Sequence, residues 1–306
     1  MLLRIVTASL IAMSLLNTEG CSSEQSVQAA LGLERTLSGL ERKHTEIDGH
    51  IVYYLEGGTG EPIVMLHGFG GDADNWTRFS RYLTKDYRVI APDLPGFGDS
   101  SRITTASYSI PKQVERIRQL LDQQGIAKAH LVGNSMGGYI AAWFAATYPD
   151  RVKSLALFDT AGINSPTQSP FLKAVSSGKN MLIIDDPERY GDFLKLIFAD
   201  PPYLPDFMKH YFAQKSYDHR EFNRKIFKEL WDQQLPLEPE LPKIKAKTLI
   251  VWGDQDRVLD VSSVPVLQQG LKQVPTKVVI LPGVGHLPML EQPGATADRY
   301  RAFIGS

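Results

Sequence analysis

Ala129-His130-Leu131-Val132-Gly133-Asn134-Ser135-Met136-Gly137-Gly138 carries a short apolar run into a serine flanked by glycines, and a helix-prone run, Gly138 to Tyr148, follows it. Gly-x-Ser-x-Gly alone arises easily by chance. Between a buried strand and a helix it predicts a nucleophile elbow, a tight and strained turn that lifts the serine above the sheet edge. Such a turn tolerates no bulk two residues before or after the serine, and Gly133 and Gly137 have no Cβ. The serine also lands at the N-terminus of the following helix. Free N–H groups and the positive end of the helix dipole favour negative charge there, as a serine attacking a carbonyl requires.

Outward from this turn, short apolar runs alternate with helical periods. His50 to Leu55 reads as a strand near a sheet edge. Ile63 to Leu66, Tyr87 to Ala91, Ser154 to Phe158, Thr248 to Trp252 and Val278 to Leu281 read as buried parallel strands. Between Ser109 and Gln124, Ile110, Val114, Ile117, Leu120 and Leu121 recur at a helical period, and Gly125 stops the helix. Thr296 to Ile304 reads as a closing helix. The alternation predicts an α/β fold with a mostly parallel sheet flanked by helices. The stretch from Gly162 to Lys245 breaks it, being rich in proline and aromatic residues and too long for a simple connection. It is read as a helical cap inserted after the sixth core strand. The expected organisation is core over 45–162 and 246–306, with the cap over 163–245.

With 306 residues, 43% hydrophobic and 22% charged, the chain is of ordinary globular composition. A net charge of −1 gives no field that draws it to nucleic acid, and no basic stripe, zinc-like Cys/His spacing or phosphate loop is present. Neither cofactor nor metal is expected. The N-terminus differs. Arg4 and the apolar run Ile5 to Leu16 are too short for a spanning helix and read as a signal peptide over 1–21. The lone cysteine, Cys21, is the position that a lipoprotein signal would lipidate, although Thr18 and Glu19 depart from the usual pattern. Export is therefore expected, to periplasm, outer membrane or medium, with Cys21 a point of membrane attachment and the protein a monomer. One cysteine also rules out an internal disulfide.

Two further loops stand where acyl-transfer chemistry needs them. Gly253-Asp254-Gln255-Asp256 follows one strand, and a carboxylate there sits on the active-site edge. Asp256 is preferred as the residue that orients a histidine, Asp254 being read as a turn former. Asp159, at the end of Ser154 to Phe158, is a third candidate. Gly283-Val284-Gly285-His286 follows the last strand, and only His286 of the seven histidines comes in the order Ser…Asp…His with this strand context. His67, in His67-Gly68-Phe69-Gly70-Gly71, is read as a brace for its loop. Asp93 to Ser100 is read as a structural turn without chemistry.

In order along the chain, HGFGG, DLPGFGDS, GNSMGG, WGDQDRV and GVGHLPMLEQP resemble the α/β-hydrolase superfamily over about residues 45–304. GNSMGG with FDTAG (Phe158 to Gly162) and PPYLP (Pro201 to Pro205) is similar to small capped bacterial lipases of the Moraxella and Psychrobacter type and to monoacylglycerol lipases. The resemblance implies an oxyanion hole made by the backbone N–H groups of Phe69 and Met136, and hydrolysis of acylglycerols or shorter acyl esters. Carbon–carbon bond hydrolases of ring-fission products share the motif style but usually carry Trp after the catalytic His, where this chain has Leu287. Epoxide hydrolases and haloalkane dehalogenases would need Asp at the position of Ser135. A binding protein on this fold would be expected to lack one member of the triad. The reading is a serine carboxylic-ester hydrolase with Ser135, Asp256 and His286 as its triad, a lipase, with a short-chain carboxylesterase or a carbon–carbon bond hydrolase of ring-fission products as the alternatives.

Overall fold

A computed structural model describes residues 23–233 and 235–305. The signal-like segment and Cys21 lie outside them. The chain opens with helix α1 (Ser23–Leu37) and then lays down β1 (Leu40–Ile47), β2 (His50–Gly57) and β3 (Glu61–Leu66). A short helix α2 (Thr77–Ser80), β4 (Tyr87–Pro92), α3 (Ile110–Gln123), β5 (Ala129–Asn134), α4 (Met136–Thr147) and β6 (Val152–Phe158) follow. Four helices come next, α5 (Pro170–Ser176), α6 (Tyr190–Ile197), α7 (Asp206–Asp218) and α8 (Arg220–Gln233). The chain closes with β7 (Lys247–Gly253), α9 (Ser263–Gly270), β8 (Thr276–Leu281), α10 (Pro288–Glu291) and α11 (Pro293–Ile304). The eight strands form one sheet in the order β1-β2-β4-β3-β5-β6-β7-β8. Only the β1–β2 and β2–β4 pairings are antiparallel.

Local chemistry explains the elements that place the site. In β5 every residue is buried, because helices cover both faces of the central strands. Helix α3 starts at Ser109, whose side chain accepts from Lys112 N, and stops before Gly125, which takes φ 65°. Its apolar positions Ile110, Val114, Ile117, Leu120 and Leu121 all face the core. Helix α4 is apolar almost all round and buried along most of its length, as a helix wedged between a sheet and its neighbours must be. On the opposite face Trp76, Phe79, Phe158 and Tyr300 meet ring against ring at centroid distances of 5.7 to 5.9 Å.

Two elements depart from the sequence reading. Ahead of His50, where the sequence reading begins its strands, the chain already forms α1 and β1. Strand β1 is the real edge, so β2 lies one place in from it. At the other edge β8 is more open than its apolar composition suggested, with Ile280 exposed.

The helices between β6 and β7 lie over the C-terminal edge of the sheet and are tied down at several points. Phe227 of α8 packs edge-on against Phe69 of the core. Glu229 accepts from Tyr108 N and from Ser107 Oγ, and Lys225 Nζ donates to Ala106 O. Arg257 Nη1 donates to the carbonyls of Lys195 and Phe198, and Tyr139 Oη donates to Leu235 O. Among the described residues no helix is long and apolar enough to cross a membrane.

Candidate active site

The turn from β5 into α4 shows why the sequence needs its glycines. A Cβ on Gly133 would stand 2.2 Å from Gly137 O, and one on Gly137 would stand 2.0 Å from Leu66 O. Both are contacts that side chains essentially never make. Between them Ser135 adopts φ 54° and ψ −120°, a conformation that L-residues hold only under constraint. The constraint is a set of backbone bonds: Ser135 N donates to Phe158 O, and Ser135 O accepts from Tyr139 N and Ala161 N. Strand β6 and helix α4 therefore fix the serine from both sides.

His286 and Asp256 meet across the loops after β8 and β7. His286 Nδ1 bonds Asp256 Oδ2 at 2.8 Å, and the Asp256 side chain is fully enclosed. Asp256 Oδ1 accepts from Val258 N and Leu259 N at 2.7 and 3.1 Å. With Nδ1 as the donor to a carboxylate, Nε2 is left as the free base of the neutral ring. Ser135 and His286 line one cavity, and Ser135 Oγ makes no hydrogen bond to the ring. Catalytic contacts of this kind commonly tighten only when substrate is bound. Asp254 is exposed and accepts from Gly283 N, so it joins two turns instead of facing the histidine. Asp159 is buried beside Asp256, its Oδ1 accepting from Gly253 N.

On the other side of Ser135, Gly68 approaches so closely that a Cβ there would lie 3.1 Å from Ser135 Cβ. His67 braces this loop: Nδ1 donates to Gly68 O at 2.7 Å and Nε2 accepts from Leu94 N at 2.9 Å. Burial pushes its titration down, which keeps the ring neutral for this pair of bonds. Phe69 follows in the loop and Met136 opens α4, so both stand next to the serine. Asp93 Oδ1 and Oδ2 accept from Ala73 N and Asp99 N, a purely structural use of the DLPGFGDS turn.

Two residues that matter here went unnoticed in the sequence. Asn134 Nδ2 donates to His286 O and to Phe158 O, so the residue before the serine also holds the histidine loop. Glu291 Oε1 accepts from Gly285 N and Oε2 from Ala199 N, each at 2.9 Å. Both residues sit inside quoted motifs, but a side chain's partner across the fold leaves no mark in its own motif.

A second Ser–His–carboxylate constellation provides an internal comparison. His130 bonds Ser154 Oγ and Glu61 Oε2 at the opposite, N-terminal edge of the sheet. Ser154 is completely buried and lines neither of the two cavities described for the chain. Side-chain identity alone does not make a site; access and the helix N-terminus do.

The cavity in front of Ser135 has a volume of about 380 Å³. Phe193, Leu194, Met208 and Phe212 from α6 and α7 give it an apolar wall, and Ala30 and Leu33 of α1 join that wall. Arg102, Lys215, His219 and Asp72 also line it.

Comparison with known proteins follows the same lines. A family model for the alpha/beta hydrolase fold matches residues 61–293. The chain is 36% identical to Lipase 1 of Psychrobacter immobilis over 99% of this chain and 97% of that protein. It is 35% identical to Lipase 3 of Moraxella sp. (strain TA144) over 99% and 98%. Among solved structures, a membrane phospholipase A described as a bacterial virulence factor superposes with a TM-score of 0.91 at 42% identity, covering 99% of this chain and 97% of that one.

Proposed function

The chain belongs to the α/β hydrolase fold family, and we propose that within it the protein is a serine carboxylic-ester hydrolase, a lipase acting on acylglycerols. One observation carries the reading. A strained serine at a helix N-terminus and a histidine bonded to an enclosed carboxylate open onto the same largely apolar cavity. The apolar wall suits an acyl chain. The serine that lines it suits the ester carbonyl.

The reaction runs through an acyl-enzyme. His286 Nε2 takes the proton from Ser135 Oγ as the oxygen attacks the ester carbonyl. The N–H groups of Phe69 and Met136 receive the tetrahedral oxyanion, and Asp256 holds the ring through Nδ1 and stabilises its cationic form. The alkoxide leaves with the proton from His286. Water, deprotonated by the same nitrogen, then attacks the acyl carbonyl and releases the fatty acid and Ser135. Every step is a proton transfer or an acyl transfer among these residues.

A second substrate class is favoured by Arg102, Lys215 and His219 on the cavity wall. These are donors suited to a phosphate headgroup, and the solved phospholipase A is a relative over nearly the whole chain. Export, with lipidation of Cys21, belongs to the same proposal and rests on the sequence of residues 1–21.

The test is hydrolysis of p-nitrophenyl butyrate, p-nitrophenyl palmitate, emulsified triolein and phosphatidylglycerol vesicles by the wild type and Ser135→Ala. Serine-dependent turnover of palmitate and triolein establishes a lipase, and turnover of the vesicles adds the phospholipid class. Butyrate alone makes it an esterase. No serine-dependent turnover of any ester overturns the reading.

A further inference from the structure

Asp159 ends β6 and is wholly buried. Its φ of 44° lies in the left-handed region, where Asp, Asn and Gly are the residues most at ease. Its N–H donates to Val251 O, so β7 fixes the backbone, and its Oδ1 accepts from Gly253 N at 2.8 Å. Oδ2 is also buried and has no donor to accept from. The neighbouring carboxylate is Asp256. One carboxylate oxygen of Asp159, one of Asp256 and one ring nitrogen of His286 all lie within 4.8 Å of one another.

The bonding leaves one way to satisfy this arrangement. Asp256 already accepts three hydrogen bonds, from Val258 N, Leu259 N and His286 Nδ1, surroundings that suit a carboxylate. An ionised Asp159 could accept bonds only, and nothing is there to donate to Oδ2. Two carboxylates so close, both shut away from water, repel strongly. Burial, and then the charge of Asp256, push the Asp159 carboxyl well above the ordinary range; Glu291 of α10 adds to the push, and the bond from Gly253 N opposes it. A proton on Oδ2 removes the repulsion and turns an orphaned acceptor into a donor aimed at Asp256.

We propose that Asp159 is a positioning residue held as the neutral acid, donating a hydrogen bond from Oδ2 to the Asp256 carboxylate behind His286. The pair then carries one negative charge. The donated bond gives Asp256 a further hydrogen-bond partner and draws charge from it. His286 is then oriented by a carboxylate whose charge is partly drawn off into the bond from Asp159, and the pH profile of the reaction reads that difference. Asp159 never touches substrate.

This inference rests on the triad reading above, and its test separates the two. The infrared spectrum of the intact protein at neutral pH is recorded alongside kcat/KM against pH for wild type, Asp159→Asn and Asp159→Gly, with thermal melts of each. Asn and Gly both accept the left-handed backbone. Asn keeps an N–H donor toward Asp256 and cannot ionise; Gly removes the donor. The expected result is a protonated-carboxyl band that Asp159→Asn abolishes. The acid limb of kcat/KM stays in place in Asn and moves to higher pH in Gly. Had Asp159 been ionised, Asp159→Asn would remove a negative charge near the base and move that limb down by roughly one unit. A downward shift in Asn, an unmoved limb in Gly, or an unchanged infrared band each overturns the proposal. A lowered melting temperature with both limbs unmoved would mark Asp159 as structural only. If no variant and no wild type hydrolyses an ester, the ester-hydrolase reading fails, and the infrared band still decides the protonation of Asp159.

Discussion

The backbone N–H of His286 donates to the carbonyl of Ile197, the last residue of α6, at 2.9 Å. The residue read as the catalytic base and a helix above the cavity are thus joined directly. Glu291 reinforces the joint by accepting from Gly285 N and Ala199 N on either side of it. Replacing Glu291 with Ala leaves the N–H groups of Gly285, which is buried, and Ala199, which is half-buried, without these acceptors. We expect a loss of about 1–3 kcal/mol in stability by urea denaturation, and a fall in kcat larger than any change in KM. A variant as stable and as active as wild type would show that the joint does not hold the histidine loop.

Strain at Ser135 makes a prediction of opposite sign. The serine is held at φ 54° and ψ −120°, a conformation that costs a residue with a side chain about 1–3 kcal/mol. Ser135→Gly is expected to be inactive yet more stable than wild type, by about 1 kcal/mol in chemical denaturation. Ser135→Ala is expected to be inactive without that gain, because alanine keeps the Cβ. Equal stability of the two variants would mean that the elbow stores no strain at its nucleophile.

Asp72 gives a pH dependence. It borders the cavity, where burial, and then the charges of Asp74 and Asp93, push it up to about 6 against the pull of Lys215. Its folded value lies above the ordinary carboxylate value near ~3.9. The folded state therefore binds the proton more tightly than the unfolded chain does. Stability from this residue is fully present below about pH 4 and is lost as pH rises through about 6. Asp72→Asn keeps a side-chain oxygen for the bond from Asp74 N and removes the titration. Unfolding free energies measured from pH 4 to pH 7 should show Asp72→Asn gaining on wild type up to about pH 6 and then running parallel. A constant difference across that range would refute the assignment.

The parts of the fold that were legible in the sequence are those with one dominant local cause. Ala129 to Val132 is apolar because both faces of β5 are covered, and Gly133 and Gly137 mark backbone contacts that no side chain allows. Asp256 bonds the histidine, whereas Asp254 accepts from Gly283 N and joins two turns. Strand β1 was missed because it is an edge strand whose middle, Glu41 to His44, is exposed, so no alternation of apolar and polar residues marks it. Helix α1 was missed because its few buried residues, Val27 and Ala30, face partners from distant parts of the chain. Asn134, Glu291 and the orphaned oxygen of Asp159 were out of reach for the same reason. Their roles depend on what the fold brings opposite them.

The wall that α1 gives to the cavity has a consequence for how such a protein can change. The family model begins at residue 61, whereas Ala30 and Leu33 stand ahead of it and border the same space as Ser135. Part of the cavity wall is thus encoded ahead of the stretch that the family shares. Substitution at Ala30 or Leu33 can reshape the space in front of Ser135 from a stretch of chain far from Ser135, Asp256 and His286 in sequence.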